Sequence, residues 1–164
     1  MSLDTLAILR SLLLISAANG APILFKRVFG VRLAGPIDGG LVLQDGHPLL
    51  GSSKTWRGLV AGLLLAAGAS VAIGLPWQAG ALIGASAMVG DCVSSFTKRR
   101  FGLESSSMAL GLDQIPESLL PAVVCGAYLP LGALDVVAIV LVFFVGELGL
   151  SRLFFAIRLR DRPY

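Results

Sequence analysis

The sequence predicts an all-α integral membrane protein: a single domain over residues 1–164 with five transmembrane helices, whose two cytoplasmic loops form the active site. Three observations predict it. Hydrophobic residues make up 55% of the chain and charged ones only 14%, too apolar a balance for an ordinary soluble domain. Five segments approach the roughly 20 apolar residues needed to cross a bilayer: 3–25, 58–76, 78–97, 118–134 and 136–157. Finally, every basic residue except Arg10 falls on one side of that topology: Lys26, Arg27, Arg32, Lys54 and Arg57, then Lys98 to Arg100, then Arg152, Arg158, Arg160 and Arg162. The positive-inside rule then puts the amino terminus outside and the carboxyl terminus in the cytoplasm of a cell (inner or plasma) membrane.

The first span contains a signal-peptide-like core from Leu6 to Ile15, followed by small residues Ser16-Ala17-Ala18. Asp4 stands where a positive region belongs and Arg10 interrupts the core, so a retained span is expected. Asn19-Gly20-Ala21-Pro22 is expected to break it, leaving Asn19 as a ligand for lipid or for freed backbone groups. The second and third spans are rich in Gly and Ala (Gly58, Gly62, Gly68, Gly80, Gly84, Ala85), which lets helices approach closely. A tight link, Pro76-Trp77-Gln78, joins them. Pro121 and Pro130 should kink or break the fourth span. Glu147 lies near the middle of the fifth, with Ser151 a turn below. Cys92 and Cys125 both fall in apolar segments, in neither a disulfide framework nor a zinc spacing, and read as small packing residues.

Loop 26–57 carries the turn signals Gly35-Pro36-Ile37-Asp38-Gly39-Gly40 and Asp45-Gly46, with a short hairpin expected around Leu41 to Gln44. His47 reads as a solvated loop histidine. The second loop, 98–117, is polar and includes Ser105-Ser106-Ser107.

The chemistry concentrates in Gly90-Asp91-Cys92-Val93-Ser94-Ser95-Phe96-Thr97-Lys98-Arg99-Arg100. A carboxylate inside a hydrocarbon-length helix is costly and usually functional. At about 100° per residue, Asp91, Ser94, Ser95 and Lys98 form one polar stripe running to the helix end. Such a stripe either lines a wet cavity or glues helices together; the Asp and the Lys-Arg-Arg below it favour the cavity. Asp113-Gln114 follows after one loop. Asp113 is either a helix cap or, with Asp91, an oxygen ligand for Mg²⁺ and bound phosphates. Gly51-Ser52-Ser53-Lys54-Thr55-Trp56-Arg57-Gly58 opens the second span, where hydroxyls, cations and free N–H groups suit a phosphate. It is not a Walker A loop, because Ser52 and Ser53 separate Gly51 from Lys54. A positive-inside anchor with an interfacial Trp would read the same way.

Together these motifs resemble the CDP-archaeol synthases, membrane cytidylyltransferases related to bacterial phosphatidate cytidylyltransferases. The resemblance rests on Gly-Ser-Ser-Lys-Thr-Trp-Arg-Gly, on Gly-Asp followed by Ser-Phe-Thr-Lys-Arg-Arg, and on Asp113-Gln114. Asn19-Gly20-Ala21-Pro22, Pro36-Ile37-Asp38 and the terminal Arg158-Leu159-Arg160-Asp161-Arg162-Pro163-Tyr164 match in order. It implies a five-helix enzyme in which a membrane lipid phosphate, an archaeal-type ether lipid phosphate or phosphatidic acid, attacks the α-phosphate of CTP, giving a CDP-lipid and pyrophosphate. The implied catalytic residues are Asp91, Lys98 and Asp113, with Asp91 and Asp113 on Mg²⁺. CTP and its phosphates would meet Ser52, Ser53, Lys54, Thr55, Arg57, Ser95, Arg99, Arg100 and Gln114. Asn19, Asp38 and Glu117 are lipid-binding or structural candidates. The partners implied are CTP, the lipid phosphate and the bilayer, with no nucleic acid. Where the family pattern continues Asp-Gln-Leu-Asp, this chain has Ile115-Pro116-Glu117; either Glu117 substitutes with a shifted reach or a ligand is missing. The loop after Arg100 is also less Pro-rich than the family's. Two other functions fit parts of the chain: a degenerate member that binds CTP or anionic lipid without turnover, and a small transporter coupled through Asp91 and Glu147.

Overall fold

The computed structural model describes residues 3–156. Within them are five α-helices: α1 (Thr5–Phe29), α2 (Trp56–Ala72), α3 (Trp77–Arg100), α4 (Gln114–Cys125) and α5 (Ala133–Ala156). The terminal motif Arg158 to Tyr164, with the three arginines it contributes to the charge argument, and the last residue of the expected 136–157 span lie outside the described residues.

Contacts at the helix ends set the directions. The Asp135 carboxylate accepts from the Asp4 N–H (2.9 Å), joining the starts of α1 and α5. Arg57 at the start of α2 donates to the Gly30 and Arg32 carbonyls just beyond α1. Ser70 near the end of α2 donates to the Pro76 carbonyl at the start of α3. Lys98 near the end of α3 pairs with Asp113 at the start of α4. Successive helices therefore alternate, and one pole of the bundle collects the end of α1, the start of α2, the end of α3 and the start of α4. Loop 30–55 covers this pole, with antiparallel bridges Pro36–Thr55 and Val42–Pro48 where a hairpin is expected.

Helix α3 is central, touching α1, α2 and α4, while α5 docks on α4 and α1. One apolar core (Leu14, Ile15, Ile83, Cys125, Ile139, Phe143) fills the bundle towards the pole marked by Asp135. A smaller one, Ala18, Ala66, Ala87 and Met88, lies between α1, α2 and α3. The outward faces are apolar too: Leu64 is 62% exposed, Leu141 61% and Val145 69%. Surfaces of this kind and extent call for lipid rather than water.

Among the described residues, three helices are long and apolar enough to cross a membrane: α1, α3 and the Ala133–Leu153 part of α5. Helix α1 is not broken at Asn19-Gly20-Ala21-Pro22, as expected, but runs on to Phe29 with Pro22 inside it. Proline removes the bond to the Ala18 carbonyl four residues earlier. Gly58 and Gly62 of α2 close over that turn: a Cβ on Gly58 would lie 3.3 Å from Pro22, and one on Gly62 3.1 Å from the Ala18 oxygen. The backbone of α2 thus packs on the disrupted turn and keeps it helical. Helix α2 stops at Ala72, short of the expected residue 76. In place of a span over 118–134, α4 starts earlier and covers only Gln114–Cys125, about 18 Å at 1.5 Å per residue. Gly126, Pro130 and Gly132 turn the chain before α5.

Gly80 faces the Ala66 carbonyl so closely that a Cβ there would force the backbones apart. Gly68 has open space. Gly80→Ala should therefore lower unfolding stability in detergent by about 1–3 kcal/mol. Gly68→Ala should be neutral or raise it by up to about 1 kcal/mol. Thermal unfolding of both variants checks the pair; equal effects would refute the α2–α3 contact.

Candidate active site

The polar stripe of α3 is brought against two loops and the first turn of α4. Its burial is set by α4: Gly90 faces the Pro116 carbonyl, and a Cβ would come within 2.9 Å of the Glu117 Cα. No larger residue at 90 leaves the two backbones this close. Pro116 is tolerated because it occupies the first turn of α4, where an N–H has no helical partner to lose. Glu117, one step on, projects back to Asp91, close enough for the two side chains to act on each other. Ser94 donates to the Asp91 carbonyl (3.0 Å) and reaches Glu117 at 3.4 Å. Asn19 of α1 donates to the Glu117 carbonyl at 3.4 Å, so its role here is to hold α4. Glu147 of α5 lies close enough to act electrostatically on Glu117.

Loop 30–55 closes the site from the other side. Lys54 forms an ion pair with Asp91. Burial alone would depress the Lys54 ammonium, but the Asp91 and Glu117 carboxylates beside it outweigh that and hold its pKa above the usual lysine value. The cation is delivered by a loop that Asp38 braces: its carboxylate accepts from the N–H groups of Leu50 (2.8 Å), Gly51 (3.1 Å) and Gly40 (3.0 Å). Burial is the largest single influence and would raise the Asp38 pKa; those donors together override it and hold the carboxyl below the ordinary aspartate value.

Asp113 is placed differently from the expected partnership with Asp91. Its carboxylate pairs with Lys98 (2.6 Å) and accepts from the Ala109 N–H (2.8 Å). Lys98 also donates to the Ser107 carbonyl (2.9 Å) and acts electrostatically on Asp91. The carboxylate beside Asp91 is Glu117, because α4 begins at Gln114 and turns residue 117 inward. Gln114 accepts from the Gly111 N–H (2.8 Å) and shapes the loop. Ser95 is buried on α3.

Not every expected phosphate ligand is available at the site. Arg57 is engaged by backbone carbonyls near the end of α1. Arg99 donates to the Glu104 carbonyl (2.7 Å). Arg100 binds Asp45 and the His47 and Pro48 carbonyls, which also ties the His47 segment down rather than leaving it a free loop. At the start of α2, Thr55 caps the Gly58 N–H (3.2 Å) and the Trp56 N–H meets the Gly35 carbonyl (3.1 Å), so part of the expected N–H cradle is used internally. Ser53, Lys54, Thr55 and Asp91 line one side of a chamber of about 20 Å³, and Pro22, Ile37, Leu59, Met88 and Cys92 most of the rest. Ser52 is exposed beside it. That volume holds about one water.

Comparison with known proteins gives a consistent picture. A sequence profile of the CarS-like family, described as CDP-archaeol synthase, matches residues 5–78 and 65–164. Proteins named CDP-archaeol synthase from Hyperthermus butylicus and Methanopyrus kandleri are both 45% identical to the chain, over 106 and 86 residues. These matches span 60% and 49% of this chain, and 60% and 50% of the relatives' lengths. The one from Thermofilum pendens is 32% identical over 90% of this chain and 75% of its own length. A solved structure described as an intramembrane enzyme for archaeal membrane lipids biosynthesis superposes with a TM-score of 0.70 at 29% identity. It covers 85% of this chain and 91% of that one.

If Asp38 braces the loop as described, Asp38→Ala should speed amide exchange at Leu50 and Gly51 at least tenfold and leave the α3 amides unchanged. Hydrogen–deuterium exchange in detergent micelles reads this directly, and unaltered Leu50 and Gly51 would overturn the brace.

Proposed function

The chain belongs to the CDP-archaeol synthase family and is a multi-pass membrane protein, and on that premise we propose that it transfers the cytidylyl group of CTP to an archaeol-type lipid phosphate. The observation that carries this is the meeting of Asp91, Glu117 and Lys54 at one pole of the bundle, with Lys98 beside them. A phosphate oxygen of the lipid attacks the α-phosphorus of CTP, the bond to the β-phosphate breaks, and pyrophosphate leaves with the electron pair. The attacking group is already an anion, so no general base is needed. Catalysis is then positioning and charge stabilisation.

Lys54 neutralises triphosphate oxygens as they arrive, and in doing so leaves Asp91. Lys98, oriented by Asp113, supplies a second fixed positive charge. Arg99 and Arg100 hold the surrounding loops and add positive potential at the mouth. Asp91 and Glu117 fit a Mg²⁺ ion: they are neighbouring hard oxygen donors, and Mg²⁺ is commonly held by one or two carboxylates together with substrate phosphates. Among the described residues no group of three or more His, Cys, Asp or Glu side chains could hold a metal, so the nucleotide must complete the shell. When bound, the ion would add charge neutralisation on the phosphates. The expected Asp113 ligand is reassigned to holding Lys98, and Glu117 takes the place beside Asp91. The polar pole faces the cytoplasm, since Lys26, Arg27, Arg32 and the Lys98–Arg100 run gather at that end.

Radiolabelled CTP, Mg²⁺ and purified protein with archaeol phosphate or phosphatidic acid test this. A CDP-lipid from archaeol phosphate is the expected product; nucleotide binding without any product would instead favour a degenerate member. Asp91→Asn should cut turnover by at least about 10²–10³-fold while the protein keeps its helical circular dichroism. Full activity in that variant would rule out the assigned role. Gly90→Ala, which pushes α4 and Glu117 away, should lower kcat at least tenfold with the Asp91 side chain intact.

A further inference from the structure

Beside the chamber at Lys54 lies an apolar groove of about 440 Å³ between α2 and α3. Leu59 and Leu63 form one wall, Ala85, Met88 and Phe96 the other, and Leu49 and Leu50 the roof. Leu59, Met88 and Cys92 border both spaces, so a single layer of side chains lies between groove and chamber. The groove opens sideways onto the lipid-facing side of α3, where Val89 is 54% exposed and Val93 46%.

We propose that this groove seats a hydrocarbon chain of the archaeol-type lipid phosphate and so aims its phosphate at Lys54. The fate assigned to that phosphate rests on the transferase function above; the seat itself does not. Two features select this occupant. The lining offers almost no polar group, so it has nothing for a nucleotide. The mouth is on the membrane face and the inner end lies against the chamber that holds Lys54, the polarity order of a lipid phosphate.

The roof is pinned at both ends. Asp38 holds the Leu50 and Gly51 N–H groups. Arg100 holds the His47 and Pro48 carbonyls while its guanidinium lies 5.2 Å from the ring centre of Phe96, itself part of the wall. The segment that covers the chain also carries Lys54, so a seated lipid and the site cation are registered by one short stretch of backbone. Leu49, Leu50 and Phe96 are thus assigned as positioning residues for the lipid.

An archaeol phosphate bearing a diazirine midway along one isoprenoid chain, incorporated in liposomes with the protein, tests the seat by photolabelling and peptide mapping. Labels are expected within 85–96 and on 59–63. Ala85→Trp, which fills the groove, should cut them at least fivefold and raise KM for the lipid at least tenfold without changing KM for CTP. Labels confined to the outer faces of α1 or α5, equal in the wild type and the variant, would overturn the proposal. So would groove labelling by a diazirine phosphatidic acid but not by the isoprenoid probe. Because the wild-type labelling needs no turnover, the two functions separate. Groove labelling without CDP-lipid product would sink the transferase assignment and keep the seat; product without groove labelling would do the reverse.

Discussion

The structure depends on how Asp91 is paired inside an apolar helix. An isolated carboxylate there would cost several kcal/mol. Lys54 answers it from 37 residues away, which forces loop 30–55 back over the end of the bundle. That single ion pair explains the brace at Asp38, the glycine at the turn before Lys54, and the capped start of α2, all of which hold the lysine at the right depth. It also defines the opposite wall: with Lys54 on one side of Asp91, α4 must approach on the other, and Gly90 is what allows it.

Most of the fold was legible in the residues, because hydrophobic length and charge asymmetry act segment by segment. The helix directions at the pole follow the alternation that the basic residues imply, even though three arginines of that argument lie outside the described chain. The stripe Asp91, Ser94, Ser95 and Lys98 was legible as well, since it needs only the period of a helix. Two elements were not. Pro22 looked like a break because sequence shows the lost hydrogen bond but not the glycine face of α2 that packs against it. The short α4 looked longer because the apolar residues after Gly126 continue the hydropathy without continuing the helix.

At the site, residue type was legible and partnership was not. Asp91 and Asp113 invited pairing as two acids flanking a basic run. The start of α4 decides otherwise: it leaves Asp113 at the cap facing Lys98 and turns Glu117 to Asp91. The acid that the family pattern places after Asp-Gln pointed to Glu117 as a substitute with a shifted reach, but not to Asp91 as its neighbour. The basic residues divide in a similar way. Lys54 and Lys98 have short-range acidic partners that phosphates can replace. Arg57 instead binds two backbone carbonyls, and Arg100 binds two besides Asp45, since a planar, many-donor group satisfies several acceptors at once. Positive charge counted in sequence therefore overstates the number of cations free to meet a substrate.

This division bears on how a lipid and a nucleotide meet. A triphosphate comes from water and a lipid chain from the bilayer, so a site for both must sit where polar and apolar spaces touch. Here that boundary is one side-chain layer thick, formed by Leu59, Met88 and Cys92. Loop 30–55 spans it, presenting leucines to the apolar side and a lysine to the polar side. The arginines fix the loop's margins, while the lysine between them is held only by an acid that an incoming phosphate can replace. Rigidity at the edges and an exchangeable ion pair at the centre let the loop accept a nucleotide while keeping the lipid phosphate in register.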